Sequence, residues 1–453
     1  MVSVSTVNTH ASLKHIIKTE REMLQAMERI SSGRRINNAG DDAAGAAISD
    51  RMMATVRALD MSIRNASDVL SMAQVAESAI NEHSAALQRI RELSIQAATD
   101  ILNAEQRIYL QTEANQLIQE MDRVARDTTF NEIAVLDGTF ADRRFQIGSH
   151  EREKAVISVA NMRVDKIGAY QSSTSMDEAG TAGNLASEGV VGASASVTSR
   201  VVDADDLTIT GLVGQATIDV KDGHSAKDIV ELVNSKFDNT GVSATATTTV
   251  KMEATSSDAA GSHVVSLNLF GKNTTAQAIS ATIDVAATAG ASDLTNLRDA
   301  INSYTANTGI RATLSADKSN IIMVQDEGED LIVEAIDFAT VTNANTKFTF
   351  TAMSQDQTDS AATQITTAVD TNHNSGNTDS VRFTGQITFH SSQTFTIAGN
   401  AGGGLYEAAP GTASLNQVAS IDIRTVSGAV DALKVIDRAL DRVHMERAKF
   451  GAI

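Results

Sequence analysis

The sequence has 453 residues, 42% of them hydrophobic, which is enough for about three domains and at least one sizeable core, and excludes a wholly disordered chain. It contains no cysteine, which excludes disulfides, thiolate metal sites and a cysteine nucleophile. The formal net charge of -19 divides into -3 for residues 1–170, -17 for 171–410 and +1 for 411–453. An acidic middle of this kind argues against a nucleic-acid partner.

The N-terminus shows a weak heptad pattern, and no signal-peptide pattern precedes it. Neither a basic stretch followed by an apolar stretch nor a run of ~18 apolar residues occurs, so we expect no membrane segment and secretion without a cleaved signal peptide. Further along, residues 53–101 and 110–124 carry apolar residues at 3-4 spacing, with a break at 100–103, and residues 433–450 repeat the pattern. Such spacing predicts long helices that form a coiled coil or bundle from both chain ends. Ordinary core helices of one globular domain are the alternative.

Between the second long helix and the acidic middle, the segments FQIG and AVISVANM flank the polar stretch SHEREK. This order predicts a β-hairpin. Residues 171–200 are then rich in Ser, Gly, Ala and Thr, which is typical of a linker or a loosely packed segment. Runs of β-branched residues follow, so we expect the acidic middle to be β-rich with short helices.

An internal repeat lies within this middle region. The segments NSKFDNTGVSAT, residues 234–245, and NSYTANTGIRAT, residues 302–313, match at an offset of 68 residues. Each follows an amphipathic stretch and precedes a β-rich one, which predicts two similar α+β units at about 201–270 and 271–345. We expect the glycine of each Asn-Thr-Gly to take the left-handed position that ends a helix.

No arrangement of residues predicts an active site. His150 and Glu151 begin HEREK, but Lys154 stands where a zinc protease needs its second histidine. The segment AGNAGGG, residues 398–404, lacks the Lys-Ser/Thr that follows a phosphate-binding loop, so a flexible loop is the better interpretation. The pair Asp41 and Asp42 is interpreted as a helix N-terminal acidic pair. We therefore predict that the chain is not an enzyme and has no catalytic, cofactor or metal site.

The segment SSGRRINNAGDDAAGAAISDRM, residues 31–52, closely resembles the signature of bacterial flagellins. The resemblance continues in ALQRIRELSIQAA, EMDRVARDTTFN, VLDG and FQIG, and resumes in the last 33 residues, which begin IDIRTVSGAVDAL. It therefore covers roughly residues 1–170 and 415–453. The chain departs from the family pattern at Arg34, Gly40 and Glu132, and it ends at Ile453, where flagellins continue with a further helix.

This resemblance implies an α+β multidomain fold, with a long α-helical coiled-coil or bundle core built from both chain ends plus a β-hairpin, and β-rich α+β variable outer domains inserted into it. The expected domains are an inner-tube helix segment (1–42), a helical core with the hairpin (43–170), a surface-exposed insertion (171–410) and a C-terminal core helix (411–453). The insertion is expected to be dispensable for assembly, and its replacement by a short Gly/Ser linker is expected to leave the helical core folded. The resemblance also implies subunit packing through six residues: Ile36, Ala43, Ala44, Gly45, Ile48 and Arg51.

The function implied by the resemblance is a structural subunit that polymerises into the extracellular bacterial flagellar filament. A hook–filament junction protein is the alternative, because its ends look similar, and an enzyme-bearing flagellin is a distant third. The implied partners are other copies of the chain, an export chaperone, the filament cap and the junction proteins. Family members recognised by the vertebrate Toll-like receptor 5 imply a receptor contact at Arg89, Leu93 and Glu113. Because the expected C-terminal helix is missing, residues 1 to about 40 are expected to be mobile in the monomer, and the chain by itself is expected not to polymerise into a stable tube. Appending the family-type C-terminal helix is expected to restore assembly.

Overall fold

The computed structural model describes residues 3–174, 186–189, 201, 203, 206–256, 261–286, 292–338, 346–353, 359–368, 380–399 and 411–452. The glycine-rich stretch at 398–404 and the small-residue segment at 171–200 therefore lie largely outside the described residues. Contacts divide the chain into two compact units. The first comprises Met1–Glu77 and Phe130–Ala160, and the second comprises Ser78–Thr129 and Asn161–Ala452.

Three long helices occupy the first 127 residues: α1 (Ser3–Ser32), α2 (Ala43–Ala97) and α3 (Ala104–Asp127). Helix α2 has 55 residues, so at about 1.5 Å per residue it is ~80 Å long. It begins ten residues before the predicted start, and its end agrees with the predicted break. The Asn103 side chain accepts a hydrogen bond from the Gln106 backbone N–H, and the Gln106 side chain accepts one from the Asn103 N–H, a capping box that starts α3.

In the first unit, strands β3 (Arg143–Gln146) and β4 (Lys154–Ile157) pair antiparallel and form the predicted hairpin. Two shorter strands precede them, β1 (Thr129–Phe130) and β2 (Ile133–Ala134). The Asn65 side chain of α2 donates a hydrogen bond of 2.9 Å to the Gln146 carbonyl, which fixes the hairpin against the helix. Among the residues of this unit whose burial the structure describes, the buried apolar ones lie on the later turns of α2 and around the hairpin: Val69, Met72, Ala73, Ala76, Val135, Leu136, Phe140, Ile157 and Val159.

In the second unit, the remaining turns of α2 and α3 contact the last helix of the chain, which we number α8 (Val426–Gly451). The Arg91 guanidinium lies 2.7 Å from the Asp437 carboxylate. The Gln111 side chain donates to the Ile421 carbonyl (3.0 Å) and accepts from the Ile423 N–H (2.7 Å). Since each of these contacts joins residues more than 300 positions apart, they fix the C-terminal segment beside the early helices.

The described residues in the middle of the chain form antiparallel sheets with four short helices beside them, so the mixed α+β class is confirmed. The helices are α4 (Ala226–Ser235), α5 (Phe237–Thr240), α6 (Thr295–Ser303) and α7 (Thr305–Thr308). The strands run in chain order as β5 (Gly168–Ser173), β6 (Ala186–Gly189), β7 (Leu207–Thr210), β8 (Gln215–Ile218), β9 (Ser243–Ser256), β10 (Gly261–Phe270), β11 (Gln277–Val285), β12 (Ile310–Leu314), β13 (Asn320–Gln325), β14 (Leu331–Phe338), β15 (Thr346–Met353), β16 (Asp359–Ala368), β17 (Ser380–Phe383), β18 (Gln386–Ser391), β19 (Thr396–Gly399), β20 (Gly411–Thr412) and β21 (Ser414–Gln417). A short 3-10 helix, Val418–Ser420, follows β21.

Among the described residues, three larger sheets share this region. Their strand orders are β11-β10-β14-β17-β6, then β12-β13-β9-β18-β5-β21, and finally β20-β19-β7-β8. In the second sheet β15 also pairs with β9, and β16 pairs with β15. The boundary predicted at 170/171 falls inside β5, which pairs with β18 from the far end of the insertion. The predicted boundary therefore lies within a strand whose sheet also contains a strand of the insertion. That residues 171–410 are dispensable stays a prediction.

Two hydrophobic clusters hold these sheets together. In one, the rings of Phe348, Phe350 and Phe383 lie 6.1 and 6.2 Å apart, and the α6 residues Leu297 and Ile301 pack into the same cluster. The other cluster has sixteen buried members, among them Ile209, Ile229, Phe389 and Ile397. Each cluster takes one amphipathic helix of the repeat, because a short helix buries its apolar stripe against a sheet.

The repeat predicted from the sequence has the same local geometry in both copies. Gly241 and Gly309 take left-handed φ values of 70° and 73° directly after α5 and α7, which confirms the expected role of each Asn-Thr-Gly. The Asn234 side chain donates to the Ala244 carbonyl and accepts from the Ala244 N–H, and Asn302 does the same with Ala312. Each copy therefore uses one asparagine to tie the end of its helix to the following strand.

Candidate interaction surface

The turn between α1 and α2 is built by the residues that carry the signature. Asp42 begins α2 by accepting a hydrogen bond of 2.9 Å from the Gly45 N–H on its side chain, while its carbonyl accepts from the Ala46 N–H. A Cβ at position 45 would lie 2.4 Å from the Asp42 Oδ2 and 2.8 Å from the Ile36 Cδ1. A side chain at position 45 would therefore have to displace the Asp42 carboxylate and the end of the Ile36 side chain, which favours glycine there.

Asp41 plays a different part from Asp42. Its Oδ2 accepts hydrogen bonds from the Asn37 and Asn38 N–H groups at 3.2 and 3.3 Å, and its Oδ1 accepts from the Gln25 side chain of α1. The Arg29 guanidinium lies 3.9 Å from the same carboxylate. The backbone hydrogen bond from Asn37, followed by those from Gln25 and Asn38, holds the pKa of Asp41 below its usual value. The prediction of an N-terminal acidic pair is therefore corrected. Asp42 caps α2, whereas Asp41 binds the loop backbone and α1.

Helix α1 has no buried face. Of its residues from Thr9 onward, each is exposed except Gln25, which is half-buried. Its large apolar side chains are nevertheless in heptad-like positions: Leu13, Ile16, Ile17, Met23, Leu24, Met27 and Ile30. An exposed apolar stripe of this length is a marker of an interaction surface, because soluble monomers rarely expose one.

The first turns of α2 continue the exposed apolar surface. Six large apolar side chains between residues 48 and 63 are exposed: Ile48, Met52, Val56, Leu59, Met61 and Ile63. Some of them line a shallow groove, together with Ile36 and Gly45, and Arg35 and Arg57 stand at its margin. We call the exposed apolar residues of α1 and of α2 up to residue 63 the apolar assembly surface.

The six predicted packing residues lie within this region. Ile36 and Gly45 are half-buried in the groove, whereas Ile48 and Arg51 are exposed. Ala43 and Ala44 are also exposed, which leaves their methyl groups at the surface of the first helical turn. The structure thus brings the six side chains into one short stretch, and their packing against another subunit stays a prediction.

The three predicted receptor residues do not form one surface. The Arg89 guanidinium of α2 donates hydrogen bonds of 2.9 and 2.8 Å to Glu113 of α3 and one of 2.9 Å to Glu92. The hydrogen bonds to Glu92 and then Glu113 raise the pKa of Arg89. Leu93, by contrast, is only 1% exposed and belongs to the core between the helices. Arg89 and Glu113 are therefore accessible to a partner, while Leu93 is not in this conformation.

The described residues contain no cluster of three or more His, Cys, Asp or Glu side chains that could hold a metal ion. Within the same residues, no helix has the length and apolarity needed to cross a membrane.

Sequence comparison decides what kind of protein carries this surface. Residues 4–141 match the bacterial flagellin N-terminal helical region, and residues 206–258 and 266–327 each match the flagellin hook IN motif. Over these residues the chain is similar to bacterial flagellins. The two matched IN segments contain the two copies of the internal repeat, and the N-terminal match includes the entire apolar assembly surface.

Curated flagellins are similar to this chain over part of their length. The chain is 31% identical to flagellin C of Vibrio anguillarum over 247 residues, which are 52% of this chain and 61% of that protein. It is 30% identical to flagellin A of Helicobacter felis over 245 residues, which are 54% of this chain and 44% of that protein. It is 36% identical to flagellin A of Vibrio cholerae over 163 residues, which are 35% of this chain and 43% of that protein. The chain thus spans less than two thirds of the length of these relatives.

The solved structure of FliC from Burkholderia pseudomallei matches this chain at 17% identity and a TM-score of 0.31, covering 84% of this chain and 97% of that one. FlgL from Xanthomonas campestris matches at 11% identity and a TM-score of 0.30, covering 89% and 91%.

Two features of this chain were not predicted from its sequence. One is the role of Asp41, whose partners on α1 lie up to 16 residues away. The other is an ion pair between the buried Asp330 and the half-buried Arg382, in which the Arg382 Nε donates a hydrogen bond of 2.6 Å to the Asp330 carboxylate. No local pattern marks this pair, because its members are 52 residues apart and meet only when β14 pairs with β17.

Proposed function

We propose that this chain is a structural subunit that polymerises into the extracellular filament of the bacterial flagellum and so serves swimming motility. The observation that carries the proposal is the apolar assembly surface, in which α1 has no buried face and the early turns of α2 expose six large apolar side chains. Burying one such side chain is worth ~1.5–3 kcal/mol. The partner that fits it is a second copy of the chain, since each copy offers the same apolar faces.

The proposed filament has a helical inner layer built from both chain ends, in coiled-coil or bundle packing, and carries the acidic middle on its outside. The contacts of Arg91 with Asp437 and of Gln111 with Ile423 support this arrangement, because they join the C-terminal segment to the early helices. The charge of -17 over residues 171–410 supports an outward position, since like charges on neighbouring copies repel unless they are well solvated.

The partners that we propose beyond other copies are an export chaperone, the filament cap and the hook–filament junction proteins. We propose no catalytic role, in keeping with a structural family. Export of the chain without a cleaved signal peptide is part of the same proposal.

Negative-stain microscopy tests the filament subunit against the junction protein. Purified chain is mixed with short filament seeds from a motile flagellin-bearing strain, and a parallel sample is incubated without seeds. A filament subunit is expected to extend the seeds into long regular filaments. A junction protein would at most decorate the ends of the seeds, and that result would replace the proposed function by the alternative.

We also propose that the monomer is recognised by Toll-like receptor 5 through Arg89 and Glu113. We expect Arg89→Ala and Glu113→Ala each to weaken binding of the monomer to the purified receptor by ~10-fold or more, as truncation of a central interface arginine does. Leu93→Ala is expected to act indirectly, because loss of a buried leucine side chain costs ~2–5 kcal/mol of folding stability.

Surface plasmon resonance with folded monomer measures the affinity, and circular dichroism measures the helical content of each variant. Arg123→Ala is the matched control, because Arg123 forms a similar exposed ion pair, with Glu120, on α3. Unchanged affinity of both the Arg89 and the Glu113 variants would remove the receptor proposal without affecting the filament proposal.

A further inference from the structure

Several polar contacts hold the connection between α1 and α2, although most of its residues are exposed. The loop of residues 33–42 joins two helices whose apolar faces are both exposed. A short loop of this kind usually leaves the angle between its helices poorly defined, because few tertiary contacts constrain it. Here, however, the contacts converge on one carboxylate.

That carboxylate is Asp41, whose side chain is only 9% exposed in this otherwise open region. It accepts two hydrogen bonds from the loop backbone, at Asn37 and Asn38, and one from the Gln25 side chain of α1. Charge-assisted hydrogen bonds to a carboxylate are about twice as strong as neutral ones. Asp41 therefore ties the loop to the penultimate turns of α1, one residue before α2 is capped by Asp42.

A second link from α1 supports the same arrangement. The Asn38 side chain donates a hydrogen bond of 3.0 Å to the Glu28 carboxylate, and Arg29 lies 3.9 Å from Asp41. Gln25, Glu28 and Arg29 lie three and four residues apart, so they share one side of α1. The loop is thus held against one side of the helix, which leaves the apolar positions of α1 exposed.

We propose that Asp41 is a positioning residue for assembly, which fixes the orientation of α1 relative to α2 so that the two parts of the apolar assembly surface are presented together. This inference rests on the proposed filament function and adds a positioning residue to it. A partner copy that meets a preset surface does not have to order the joint on binding, so assembly loses less conformational entropy.

The absence of cysteine from the chain allows a direct measurement of the joint. Thr19→Cys on α1 replaces an exposed residue and Thr55→Cys on α2 a half-buried one. Nitroxide labels at both positions report the distance between the helices by double electron–electron resonance. The labelled monomer is expected to give a narrow distance distribution, because the contacts of Asp41 hold the joint, whereas the mobility of residues 1 to about 40 expected from the sequence would give a broad one. Asp41→Ala is expected to broaden it, Asp41→Asn to give an intermediate width, and the control Asp60→Ala, at an exposed position of α2, to leave it unchanged.

Assembly is measured on the same full-length variants without labels. We expect Asp41→Ala to raise the critical concentration for seeded filament growth by ~10-fold, the effect of losing a single preorganising interaction. Its thermal unfolding is expected to match that of the unsubstituted chain, since the main cores lie elsewhere, and a merely stabilising role would instead lower the unfolding temperature.

An unchanged distance distribution in Asp41→Ala would overturn the positioning role, and so would a broadened distribution with an unchanged critical concentration. Failure of the unsubstituted chain to extend seeds would instead contradict the proposed filament function. The distance measurement on the monomer would still decide in that case whether Asp41 fixes the joint.

Discussion

Replacing Ile48 and Met52 together by aspartate is expected to abolish filament growth while leaving the monomer folded. Both side chains are more than half exposed, so aspartate costs the monomer little. In the proposed filament the same positions are buried against another copy, where each lost side chain removes ~1.5–3 kcal/mol and each carboxylate adds the cost of an unpaired buried charge. We expect the critical concentration to rise by ~100-fold or more.

Seeded growth followed by sedimentation and negative-stain microscopy measures this effect, and far-UV circular dichroism verifies the helical content. Leu212→Asp is the matched control, because Leu212 is 66% exposed but lies in the turn between β7 and β8, outside the apolar assembly surface. Normal filament growth of the double variant would show that this part of α2 faces solvent in the assembly. Loss of growth in the control alone would show that the contact between copies is made by the acidic middle and not by this part of α2.

Replacing Arg382 by methionine is expected to destabilise the sheet that contains β14 and β17 by ~3–5 kcal/mol at pH 7.5, the usual cost of removing one partner of a buried ion pair. The Asp330 carboxyl is almost fully buried beside Arg382. Its burial raises the pKa of Asp330 to about 6, although Arg382 partly offsets the rise. Without the guanidinium, we expect the pKa of Asp330 to rise further.

The sign of the pH dependence follows from this raised pKa. Between about pH 4, near the unfolded value, and pH 6 the folded chain binds more protons at Asp330 than the unfolded chain does, so this group's contribution to stability falls as the pH rises. The deficit of Arg382→Met is therefore expected to be smaller at pH 5 than at pH 7.5, because protonated Asp330 no longer needs a cation.

Urea unfolding followed by circular dichroism at both pH values measures the deficit. The double variant Asp330→Asn with Arg382→Met is expected to recover most of the lost stability, since neither charge remains buried, while Arg382→Lys keeps a cation and should lose less than methionine. A deficit of equal size at pH 5 and pH 7.5, or no recovery in the double variant, would show that the carboxylate of Asp330 is not the origin of the effect.

The sequence by itself determined the elements whose signals are local. The long helices, the break near residue 100, the β3–β4 hairpin and the repeat with its two left-handed glycines were predicted, because periodicity, turn residues and caps act over a few positions. The family signature likewise lies in contiguous residues, so it could be recognised without a fold. Of the apolar assembly surface, the sequence predicted the heptad positions of α1, but it could not show that they are exposed.

Exposure and pairing were decided only by the tertiary structure. Apolar spacing alone does not distinguish Leu59 from Leu93, since both are leucines of helix α2. Leu93 is nevertheless buried and Leu59 is exposed, because different residues surround the two positions. His390 is a further example, since its burial, with Lys434 and Arg438 of α8 nearby, lowers its pKa to about 3. Local pattern determines which face of an element is apolar, whereas contacts between residues tens to hundreds of positions apart determine whether that face is covered, and the free energy of those contacts exists only in the folded chain.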